Sequence, residues 1–74
     1  MKNTKTEFLK KITELNELTK KIYYAVPTGN IFTGFGIPKE NAEKYINEHP
    51  ENEPVIDRLM VLCDELNHIV PYLD

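Results

Sequence analysis

The chain predicts an all-α domain of three helices, two longer ones in antiparallel contact and a short one between them. Three observations carry this reading. Apolar residues recur at helical spacing in both outer parts of the chain, prolines punctuate those segments, and 74 residues leave room for one domain, 1–74. So small a chain buries only about 60% of the surface its unfolded form exposes. Its core contributes a net stability on the order of 3–5 kcal/mol unless a further link is added. Cys63 is the sole cysteine, which excludes an internal disulfide. A second copy of the chain or a different protein then becomes the expected source of added stability.

The first helix starts at Thr4-Lys-Thr-Glu7, which fits a capping box: the Thr4 hydroxyl accepts from the Glu7 amide and Glu7 reaches back. Phe8, Ile12, Leu15, Leu18, Ile22 and Val26 follow at steps of 4, 3, 3, 4 and 4, which at 100° per residue form one stripe. Lys10, Lys11, Glu14, Glu17, Lys20 and Lys21 fall largely off that stripe and are expected in water. Glu7 with Lys11 and Glu17 with Lys21 are i,i+4 pairs in the favourable order.

The end of this helix has two readings. Pro27 stops it, with Gly29 or Asn30 supplying a left-handed turn. Alternatively, Ile22–Val26 and Ile31–Phe35 pair as a short β-hairpin within 22–35, around a turn at Pro27-Thr-Gly-Asn30. The stretch Pro27–Pro38 holds all three glycines and two of the three phenylalanines, and no residue from 22 to 38 is charged.

Pro38 opens the second helix, where its missing amide leaves nothing unpaired. Ala42, Tyr45, Ile46 and His49 share one face, and Pro50 ends the segment. Thinly apolar, this helix depends on docking. Asn52 or Glu53 then caps the third helix and Pro54 begins it. Val55, Ile56, Leu59, Met60, Leu62, Cys63, Leu66, Ile69 and Val70 make an arc broad enough to require two neighbours, from the same chain or a second one. Pro71 closes it. At 1.5 Å per residue a helix from Thr4 to Val26 spans about 34 Å and one from Pro54 to Val70 about 25 Å. The overhang of roughly two turns favours a dimer or a larger partner.

Most chemistry is excluded by spacing. Gly29-Asn-Ile-Phe-Thr-Gly34 has the glycine spacing of a phosphate loop, but Phe35 and Gly36 stand where that loop needs lysine and a hydroxyl. Gly34-Phe-Gly36 is half a dinucleotide fingerprint whose third glycine is replaced by Lys39. Cys63 and His68 are five residues apart, about 140° round a helix, so they form no nucleophile and base pair. Cys63 reads as a core residue. His49 and His68 lie on different elements without zinc-binding spacing, which predicts no metal and no cofactor. Glu51 with Glu53, and Asp64 with Glu65, read as solvated carboxylates without the split environments that acid–base catalysis needs. No enzymatic function is expected.

Charge bears on partners. The net charge of −3 hides an asymmetry: residues 1–21 carry six lysines against three glutamates, and residues 39–74 carry three bases against nine acids. Mutual packing of the two halves is preferred to a basic arm seeking an acidic partner. A single arginine and a pI near 5.3 argue against nucleic acid, leaving a weak nucleic-acid association through the basic first helix as a minor alternative. No apolar run reaches the roughly 20 residues of a membrane span. The charged start and the lone thiol point to a cytoplasmic protein. In style, the Lys-, Asn-, Ile- and Glu-rich composition resembles small accessory proteins of AT-rich bacteria and their phages, without a motif in common.

The expected function is a cytoplasmic protein-binding module that docks on a larger protein to regulate or inhibit it. Its expected contact residues are Tyr23, Tyr24, Ile31, Phe32 and Phe35, aromatic and apolar side chains gathered on a glycine-rich corner. The two phenylalanines either close the end of the bundle or stand exposed as anchors, and one can do each. The alternative is a homodimer whose role is its own assembly.

Overall fold

The computed structural model describes residues 4–22, 25–30 and 32–73, with Asn30 through its backbone alone. Helix α1 covers Thr4–Thr19, strands β1 and β2 cover Thr28–Asn30 and Gly34–Gly36, α2 covers Lys39–Glu48 and α3 covers Glu53–Ile69. Short 3-10 turns at Pro50–Asn52 and Val70–Tyr72 precede and follow α3. The class is all-α, with two longer helices, a shorter middle one and a two-stranded antiparallel hairpin.

Helix α3 is the centre of the molecule. It supplies Ile56, Leu59, Leu62, Cys63 and Leu66 to a buried set completed by Leu15, Ile22, Ala25, Ala42 and Tyr45. Phe8, Ile12, Leu18 and Val26 pack on this core, so the apolar stripe read from the sequence is the buried face. The broad arc of α3 does meet several neighbours, all in the same chain: α1, α2 and β2. Met60 remains 41% exposed on its margin.

Helix α1 stops at Thr19, short of Val26. The Lys21 amide bonds to the Leu18 carbonyl at 3.0 Å and that of Ile22 to Thr19 at 3.2 Å, i→i−3 bonds that tighten the chain out of the helix. A helix continued to Val26 would carry Ala25 and Val26 past the end of α3, with nothing to cover them. Turning back places Ile22 and Ala25 in the core instead. With α1 at 16 residues and α3 at 17, both helices span about 24–26 Å. The overhang disappears, and with it that argument for a second chain.

Thr4 lies inside α1, so it is not the residue that precedes the helix. Asn52 precedes α3 but makes no side-chain cap. Its Nδ2 donates to the Tyr45 hydroxyl at 2.9 Å, and that hydroxyl donates to the Lys21 carbonyl at 3.4 Å. Tyr45 is fully buried and ties the end of α1 to α2 and to the turn before α3.

The hairpin forms in a register different from the expected one. Thr28 pairs with Gly36, Gly29 with Phe35 and Asn30 with Gly34, so three of the four expected turn residues, Thr28–Asn30, are strand and the chain reverses between Asn30 and Gly34. Two glycines explain the shift. Gly34 takes φ +84°, a left-handed conformation at the start of β2 that glycine adopts without strain. Gly29, at φ +107°, passes so near the Gly34 carbonyl that a Cβ there would sit 1.8 Å from its oxygen.

Candidate functional site

The hairpin's aromatics part company. Phe35 packs half-buried on the core, its ring centroid 6.2 Å from that of Phe8 with the ring planes tilted by 58°. Phe32, in the loop, is 88% exposed. Of the expected contact residues, Tyr23, Tyr24 and Ile31 fall outside the described residues.

Asn67 holds the hairpin in place. Its Oδ1 accepts from the Phe35 amide at 2.7 Å, and its Nδ2 donates to the Phe35 carbonyl at 2.9 Å. Asn67 lies nine residues beyond Arg58 on α3, half a turn round the helix. Arg58 faces α1, so Asn67 faces the hairpin. A shallow depression of about 410 Å³ runs between the hairpin's glycines and Asn67. Sequence reading missed Asn67, because an asparagine late in a helix carries no local sign of a strand across from it.

The charged residues of α1 expected in water partly bridge to α3. Arg58 donates to both carboxylate oxygens of Glu14, at 2.6 and 2.9 Å, and Lys11 pairs with Glu65 at 3.1 Å. The hydrogen bond from Arg58 holds the Glu14 carboxyl below its ordinary value, and the same bond raises the guanidinium's. Lys11 thus takes Glu65 rather than Glu7, and Glu17 pairs with Lys20 at 3.3 Å. Among the described residues two bridges join the basic first part to the acidic second part, and one of them, Glu14 with Arg58, runs acid to base in the reverse sense.

Cys63 is buried among the α3 leucines, and burial raises its thiol above the usual value. Its environment is the opposite of one that would generate a reactive thiolate. At the end of α2 the His49 backbone amide bonds to the Tyr45 carbonyl at 2.7 Å. Its ring lies 4.8 Å from that of Tyr45. His68 is exposed, with Nδ1 2.8 Å from the Asp64 carbonyl. Among the described residues no three His, Cys, Asp or Glu side chains converge as a metal site, and no helix is long and apolar enough to cross a membrane. No protein-family model matches this chain, and no curated protein or solved structure matches it significantly.

Proposed function

We propose that this protein is a small binding module that docks on a larger protein and regulates or inhibits it, with Phe32 as the inserted anchor. The observation that supports this reading is the 88% exposure of Phe32 on a hairpin tied to the helical core through Phe35. Seating such a side chain in a pocket contributes roughly 1.5–3 kcal/mol from area alone. A side chain carried on strands already tied to the core loses less entropy on docking. No charge lies between residues 22 and 38, so the complementary surface is apolar and the contact insensitive to salt.

The two phenylalanines separate anchor from scaffold. Phe32→Ala is expected to leave helicity and melting temperature unchanged while removing the proteins that the immobilised wild-type chain retains at high salt. Phe35→Ala is expected to lower the melting temperature, since its ring contacts the core and Phe8. Identical capture by wild type and Phe32→Ala would overturn the docking site, as would unfolding of Phe32→Ala.

A further inference from the structure

The carboxamide of Asn67 stands where a third β-strand would. In the antiparallel ladder Phe35 faces Gly29, its N–H donates to Asn67 Oδ1 and its C=O accepts from Asn67 Nδ2, so both groups point away from β1. That is the pattern of a non-hydrogen-bonded pair, whose outward groups need another partner. A planar side-chain amide offers one acceptor and a donor side by side, which matches the need. A hairpin of three residue pairs does not hold its shape alone. Its hold on the helical core includes this amide and the packing of Phe35, while Val26 and Ile37 pack on the core at its two ends. Asn67 itself is exposed, so water competes for both bonds.

We infer that Asn67 is a latch: the hairpin bearing Phe32 opens and closes as a unit on a helical core that stays folded, and Asn67 sets the balance. The closed form presents Phe32 in one orientation, and the open form releases it. The link to partner binding rests on the docking reading above, whereas the latch itself is measurable in the free protein.

Amide hydrogen exchange by NMR on the full chain tests it. The Phe35 amide is expected to exchange faster than those of Leu59 and Leu62, which open only with global unfolding. Asn67→Ala is expected to accelerate Phe35 exchange about tenfold or more relative to the α3 core amides. Asn67→Asp keeps an acceptor for the Phe35 amide and loses the donor to its carbonyl, so it should restore part of that protection. Acceleration of Phe35 and the core amides by the same factor would make Asn67 an ordinary stability contact and overturn the latch. So would equal protection of Phe35 and Leu59 in the wild type. A latch seen by exchange together with unaltered capture by Phe32→Ala would leave the latch standing and remove the docking site.

Discussion

Gly29, Gly34 and Gly36 lie close together in sequence but tolerate a side chain very differently. At Gly29 a Cβ would collide with the Gly34 backbone, and φ +107° is a conformation L residues rarely adopt. At Gly36 a Cβ would meet nothing within 4 Å. Gly29→Ala is therefore expected to destabilise the closed hairpin by about 1–3 kcal/mol, seen as lost amide protection at Phe35 with the helices intact. Gly36→Ala should change stability by no more than about 0.5 kcal/mol. Comparable effects of the two substitutions would contradict the register of Gly29 with Phe35. The same reasoning separates Phe32 from Phe35, which the sequence offers as equivalent aromatics and the fold divides into one exposed ring and one packed ring.

Between the elements, the α1–α3 seam combines buried leucines with ion pairs at its rim. Glu14 has its folded value lowered by Arg58, so its contribution to stability is fully present above the unfolded value near 4.5 and is lost as pH falls through the lowered folded value. Both partners of this pair are partly solvated, which makes the effect modest and salt-sensitive. The melting-temperature advantage of the wild type over Arg58→Gln should hold at neutral pH and shrink below about pH 4. An advantage that persisted at pH 2 would assign the role of Arg58 to packing of its aliphatic stem. On the opposite face of α3 the connection is neutral, made by the Asn67 amide, so acid should leave the hairpin attached after the Glu14 bridge has weakened.

For the molecule as a whole, the question is whether one chain covers its own core. The matched lengths of α1 and α3, and the return of Ile22 and Ala25 to the interior, give the broad arc of α3 its neighbours within the chain. The melting temperature is accordingly expected to be independent of protein concentration. A rise with concentration would favour the homodimeric reading and turn attention to Leu9, Met60 and Val61, which keep about half of their surface in water.

Periodicity is local physics, and it made much of the architecture legible. The stripe from Phe8 to Val26, the arc of α3, and prolines at 38, 50 and 54 located three helices, because spacings of three and four residues and a missing amide act within a turn or two of the chain. The end of α1, the hairpin register and the Asn67 clamp lay beyond that reach. They depend on pairings between distant residues, Tyr45 with Lys21, 24 residues apart, and Phe35 with Asn67, 32 apart. Helix periodicity thus followed from the order of residues alone. Which aromatic was left in water, and which asparagine held the hairpin, followed only when distant segments competed for the same small core.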